Sequence, residues 1–263
     1  MGSRGSFWLL LLPLLAMAAP AGAQNPVTVC IDPEPPPWSF WKRDDAGKPT
    51  GELSGFSVDL VRRLFHAIGR EVRFATDLPW SRCVHDLRTR KMGFAMDIYE
   101  GGPHAAQLVY SARYNTLTPQ IFTLRDHPIA VENPADLKRY RGCGIIQGAY
   151  THYGLDPKDL DLSANGYAGV VQKLKGGHCD YFVEELEILA GLRLSHENYL
   201  DDPEIVHRPL KNVTPPSMHL VTARDGADAG LMPKLDAQIE AMDKSGELAA
   251  LWRKYAGDVP YNR

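Results

Sequence analysis

Little in this sequence is arranged for chemistry. No nucleophile, base and orienter fall at a suggestive spacing, no glycine-rich loop is placed to cradle phosphate, and no Cys or His pairs have metal-ligand spacing. Basic runs are scarce as well. The 29 Lys and Arg stand against 32 Asp and Glu, a net charge of -3. Without a Lys/Arg stripe there is no counterion-releasing surface for nucleic acid, and that class is set aside. Beyond the first residues no apolar run approaches the ~20 residues of a membrane-spanning helix, and low-complexity segments and short repeats are lacking. With these features missing the chain reads first as a capture device for a small molecule, for which neither enzymatic activity nor a cofactor or metal is expected.

What is present starts at the N-terminus. Arg4, an apolar run from Phe7 through Ala19 broken only by Pro13, and Ala21-Gly22-Ala23 make the charged region, apolar region and small-x-small cleavage site of an export signal. Residues 1–23 are expected to be removed, with Gln24 first in the mature chain. The first Cys, Cys30, is too far from the cleavage point for a lipid anchor. The roughly 240 residues that remain exceed one ordinary core and suit two lobes.

Val27, Val29 and Ile31 alternate and predict a strand that runs into a proline-rich loop. Ser57 is placed as an N-cap with Asp59 in the first turn; Leu60, Val61, Leu64, Phe65 and Ile68 share a helical face that Gly69 ends. A strand at Val72 and Phe74, a helix over 81–90 and a strand over 92–96 follow. Strand, helix, strand, helix, strand is the grammar of a parallel sheet with right-handed crossovers. It restarts at 144–147, with a helix marked by Val170, Val171 and Leu174 and a strand at 181–183. The extended stretch 114–125 is suited to crossing between lobes, and the chain crosses back after 217–222. Two amphipathic helices close the chain, one carrying Leu235, Ile239 and Met242, the other Leu248, Leu251, Trp252 and Tyr255. The expected division is 24–121 with 223–263 for the first lobe and 122–222 for the second.

Several segments carry a resemblance. Gly55-Phe56-Ser57-Val58-Asp59-Leu60, Asp136-Leu137 through Gly148, Gly177-His178-Cys179-Asp180 and the tail from Ser245-Gly246 to Gly257 are similar, in order and separation, to the family 3 extracellular solute-binding proteins of amino-acid ABC transporters. The resemblance implies an α/β, type 2 periplasmic-binding fold: two lobes, each a mainly parallel sheet flanked by helices, joined by two crossing strands and closing on a ligand by a hinge. It further implies a monomer in the periplasm that hands a small solute to an ABC permease in the inner membrane. The four cysteines are permissive of disulfides. Pairing Cys30 with Cys83 and Cys143 with Cys179 keeps each bridge inside one lobe; buried free thiols at strand ends are the alternative.

Carried over position by position, the resemblance places Asp32, Trp38 and Trp80 at the ligand from the first two loops, and Asp97, Tyr99 and Glu100 after the third strand. In the second lobe it places Tyr150, and Glu185 as the acid that receives an ammonium group. One departure matters. Amino-acid binders of the family have an Arg after the third strand that grips the ligand carboxylate, but no Arg occurs here between Arg90 and Arg113. His104, when protonated, is a weaker substitute. Acids and aromatic rings without that Arg favour an amine-bearing or otherwise cationic solute lacking a free α-carboxylate, each ring contributing roughly 0.5 to 2 kcal/mol to an ammonium group. An ordinary amino acid or other small acid gripped differently is the second ligand reading. Competing functions are a sensor or adaptor for a membrane receptor, and a dehydratase of cyclohexadienyl acids, an activity found on the same fold. His85, His152, His178, His196 and His207 read as ordinary surface or satisfied histidines, and Asn212-Val213-Thr214 as a weak glycosylation signal.

Overall fold

The computed structural model describes residues 1–2, 25–101, 104–146 and 148–263, so the expected export signal lies outside the described residues. In chain order the elements are β1 (Val27–Cys30), β2 (Phe40–Arg43), β3 (Pro49–Ser54), α1 (Phe56–Ala67), β4 (Val72–Ala75), α2 (Trp80–Arg88), β5 (Phe94–Tyr99), β6 (Leu108–Tyr110), β7 (Asn115–Thr116) and β8 (Pro119–Leu124). Then come β9 (Gly142–Ile145), β10 (Leu160–Ala164), α3 (Gly166–Lys175), β11 (Tyr181–Glu185), α4 (Leu186–Gly191), β12 (Ile205–Pro209), β13 (Ser217–Ala223), α5 (Met232–Lys244) and α6 (Glu247–Ala256). No helix among the described residues is long and apolar enough to cross a membrane.

Two sheets organise the chain. The first has the order β4-β1-β5-β13-β6, with β7 also on β13; the second has the order β10-β9-β11-β8-β12. In the first sheet β1 pairs in parallel with β4 and β5, while β13 runs antiparallel to β5. In the second, β9 pairs in parallel with β10 and β11, and β8 is antiparallel to β11. The antiparallel strand of each sheet is the one that follows a crossing between lobes.

Because β8 lies wholly in the second sheet and β13 wholly in the first, the lobes divide outside these strands, unlike the expected divisions at 121/122 and 222/223, which cut through β8 and β13. The connecting segments are short, 117–118 and 210–216. They are tied to each other: Leu117 N–H donates to the Pro216 carbonyl at 2.9 Å, and Leu210 N–H to the Pro119 carbonyl at 3.1 Å.

Local chemistry explains where elements start. Gly55, not Ser57, caps α1; it adopts φ 134°, and an added Cβ would overlap the Trp38 carbonyl of the proline loop, so both conformation and space call for glycine. Ser57 sits inside the helix and uses its hydroxyl elsewhere, as described below. The β2–β3 hairpin, which alternation did not reveal, turns on Asp44: its carboxylate accepts the Ala46 and Lys48 N–H groups, with Gly47 at φ 76°. The strand expected at 144–147 is displaced to Gly142–Ile145, since Tyr150 folds back on Ile145 and ends it.

Both lobes are closed by apolar packing. In the first, Trp252 of α6 meets Phe56 edge-on at 5.2 Å and Trp38 at 5.9 Å, all three rings buried. In the second, Phe122 and Phe182 stack at 4.5 Å between β8 and β11. A disulfide lies in each lobe, Cys30–Cys83 joining β1 to α2 and Cys143–Cys179 joining β9 to the start of β11, each with Cα atoms 5.8 Å apart. No cysteine is a free thiol.

Candidate functional site

A cleft of about 340 Å³ opens between the lobes. The first lobe supplies Asp32, Glu34, Met96, Asp97 and Tyr99 to its lining, and the second supplies Ala149 and Ile188. Asp32 and Glu34 follow β1, and Asp97 and Tyr99 end β5, so the acids stand at the carboxyl ends of adjacent parallel strands. Open α/β sheets bind ligands at that edge.

Asp97 is the most constrained residue of the site. Its φ of 61° puts it in the left-handed region that residues other than glycine rarely adopt. Its carboxylate accepts the Ser57 hydroxyl at 2.5 Å and the Tyr114 hydroxyl at 2.8 Å. Burial pushes its pKa up to about 6, against the two hydrogen bonds, which pull it down. Asp32 is raised by burial too. Burial also raises Glu34, which Arg43 at 3.8 Å partly offsets. Among the described residues, no Lys or Arg lines the cleft.

The second lobe carries three buried carboxyls at the end of β11 and the start of α4. Glu184, Glu185 and Glu187 are all nearly inaccessible, Glu185 at 1 % exposure. Strand alternation allows only one of the neighbours Glu184 and Glu185 on a given face, yet both are buried, because the two faces of β11 are covered. Glu184 accepts the Tyr167 hydroxyl at 2.6 Å. Glu187 accepts Thr118 through both oxygens, at 2.9 Å from N–H and 2.7 Å from the hydroxyl. Glu185 lies 2.7 Å from His152 Nε2 and accepts the Tyr153 hydroxyl at 3.2 Å. Burial raises all three carboxyls and pushes His152 down to about 4, towards its neutral form, and Nε2 shares a hydrogen bond with the Glu185 carboxyl.

The residues singled out in the sequence separate into two groups. Asp32, Asp97 and Tyr99 stand together on the cleft. The others are differently employed. Trp38 lines the cleft floor, but its indole is 1 % exposed and its N–H donates to Asn115 at 3.0 Å, so the ring belongs to the core. Tyr150 is buried, its hydroxyl accepting from the Ile145 N–H at 2.7 Å and facing the Ile145 carbonyl at 3.1 Å, which closes the turn after β9. Glu185 is covered by His152 and Tyr153. Glu100 is exposed, and His104 stands 3.3 Å from an Arg88 nitrogen; neither is among the lining residues. The Trp80 side chain lies outside the described residues. Sequence reasoning missed Ser57 and Tyr114 as the supports of Asp97, and His152 as the partner of Glu185. Nothing in the spacing marks pairs 40, 17 and 33 residues apart.

The family model of the bacterial extracellular solute-binding proteins, family 3, matches residues 27–258. No match is found among curated protein sequences. Among solved structures, the fold is similar to a histidine kinase sensor domain with similarity to periplasmic binding proteins, at 23 % identity and TM-score 0.68, over 90 % of this chain and 99 % of that one. It is also similar to the amino acid ABC transporter substrate-binding protein AbpA of Streptococcus pneumoniae bound to L-arginine, at 17 % identity and TM-score 0.68, over 87 % and 93 % of the two chains. The arginine-, lysine-, histidine-binding protein ArtJ of Geobacillus stearothermophilus is a third such structure, at 17 % identity and TM-score 0.66, over 90 % and 97 %.

Proposed function

Because the chain belongs to the bacterial extracellular solute-binding proteins of family 3, we propose that it captures a small cationic or amine-bearing solute in its interlobe cleft and delivers it unchanged to an ABC permease. In this reading the protein acts as a monomer in the periplasm. The observation that carries the ligand class is the lining: Asp32, Glu34 and Asp97 face the cleft and no Lys or Arg does. A ligand of net negative charge would meet only like charge there, whereas one of net positive charge gains from each acid and from the face of Tyr99. The fold likeness to proteins whose names mention arginine, lysine and histidine is in keeping with a cation.

Asp32, Asp97 and Tyr99 are the contacts we assign to the ligand. A melting-temperature screen of the purified protein tests the assignment, since a ligand that binds only the folded state raises its stability. Arginine, ornithine, putrescine and choline are the cations to try, against glutamine and glutamate. Elevation by cations alone is expected; elevation by glutamate and not by any cation overturns the ligand class. The likeness to a histidine kinase sensor domain favours a second reading, a solute sensor for a membrane receptor. Co-purification with a permease or with a receptor kinase separates the two.

A further inference from the structure

His152 holds a position that neither the solute-binding role nor the fold requires. It lies in the short helical turn Thr151–Tyr153 of the second lobe, between β9 and β10. Its Nε2 is 2.7 Å from Glu185, and on the other side its ring meets the edge of Tyr99, across the cleft in the first lobe, at 6.0 Å. Tyr153 flanks it at 4.1 Å. The imidazole therefore fills a recess whose floor is a carboxylate and whose walls are two tyrosine rings. An acid between aromatic faces is the chemistry that holds an organic cation. Here one of the protein's own side chains occupies it.

We propose that His152 is a specificity-determining residue: its imidazole occupies an acidic recess at Glu185, next to the cleft, and so keeps a second cationic group of a ligand out of the site. The inference rests on the cation-binding reading of the cleft for its biological meaning, but the recess can be tested without any natural solute. A single-headed cation is accepted by the acids of the first lobe while His152 stays docked. A ligand with two cationic groups would have to displace it.

Chemical rescue by imidazole is the test. His152→Ala should unfold more readily than the wild type, and free imidazole should refill the recess. At an imidazole concentration ten times its dissociation constant the unfolding equilibrium of H152A should fall about tenfold, by mass action on the folded state. The wild type and the double variant His152→Ala with Glu185→Gln should show no such response. If H152A does not accumulate folded, its refolding yield with and without imidazole reads the same quantity. His152→Gln, whose amide can still donate to Glu185, should fold and ignore imidazole. Equal responses of H152A and wild type, an equal response of the double variant, or no response of H152A overturns the proposal. A protein that shows rescue but binds no cation in the screen above keeps the recess and loses the cation-binding reading; one that binds cations without rescue does the reverse.

Discussion

Glu187 holds Thr118 with both carboxylate oxygens, accepting its N–H at 2.9 Å and its hydroxyl at 2.7 Å. Thr118 lies on the two-residue segment that carries the chain from β7 into β8, from one sheet to the other. Its carbonyl also accepts the Leu186 N–H at 2.9 Å, so the start of α4 grips the crossing strand on three atoms. Any turning of the lobes about this segment would work against a buried carboxylate, 1 % exposed.

Replacing Glu187 by Ala leaves the N–H and hydroxyl of half-buried Thr118 without their carboxylate acceptor. Hydrogen bonds to a charged group contribute about 1.5 to 3 kcal/mol each, and water at a half-buried residue offsets part of that. A loss of about 2 to 5 kcal/mol is expected in urea unfolding, together with a wider spread of interlobe distances in solution scattering. Glu187→Gln, which keeps an acceptor but has only one, should fall between the variant and the wild type. A wild-type melting curve for E187A contradicts the clamp.

Asp97 makes stability depend on pH with a defined sign. Burial raises its pKa from an ordinary 3.8 to about 6. The folded protein therefore holds this proton more tightly than the unfolded chain, so the contribution is fully present below about pH 4 and is lost as pH rises through about 6. The difference corresponds to about 3 kcal/mol. Asp97→Asn keeps the acceptor for Ser57 and Tyr114 but cannot ionise. Relative to wild type it should gain about 3 kcal/mol between about pH 4 and about pH 8; the opposing effect of His152 is common to both proteins and cancels. Parallel pH profiles would mean that Asp97 ionises freely in the fold.

Gly191 marks a close approach of the lobes. A Cβ there would overlap the Pro36 carbonyl of the first lobe, although the backbone itself is ordinary helix. Gly191→Ala must push α4 off the proline loop, at a cost of about 1 to 3 kcal/mol. An unchanged melting temperature and an unchanged scattering profile would show that the contact yields freely.

The disulfides span 53 and 36 residues of sequence. Loop closure in the unfolded chain gives each a stabilisation of about 4 kcal/mol. Denatured, unreduced protein should yield no titratable thiol, and the paired Cys→Ser variants should each melt at lower temperature. Four thiols per chain would contradict both bonds.

The sequence made the lobes legible because burial leaves a period. Leu60, Val61, Leu64 and Phe65 recur on one helical face, and every one is buried in α1. The crossing segment was legible because extended residues with Pro119 cannot continue a helix. The β2–β3 hairpin escaped notice because most of its residues are exposed or only half-buried and its strands show no apolar alternation. At the site, Asp97 and Asp32 were legible through the family resemblance, which places them after the third and the first strand. Tyr150, Trp38 and Glu185 are also near the cleft in sequence terms, but their polar atoms meet Ile145, Asn115 and His152. Pairings of that kind depend on three-dimensional proximity, which leaves no period and no spacing to read.

The claim on which the rest depends is that the cleft selects positive charge, and a matched pair of ligands tests it most directly. Calorimetric titration with arginine and with its neutral isostere citrulline, and likewise with choline and 3,3-dimethylbutanol, compares nearly equal shapes that differ in charge. Charged hydrogen bonds of about 1.5 to 3 kcal/mol predict that at least one cation binds roughly ten- to a hundredfold more tightly than its neutral partner, and that Asp97→Asn narrows the gap. Equal affinity within both pairs, or tighter binding of the neutral members, would contradict the account.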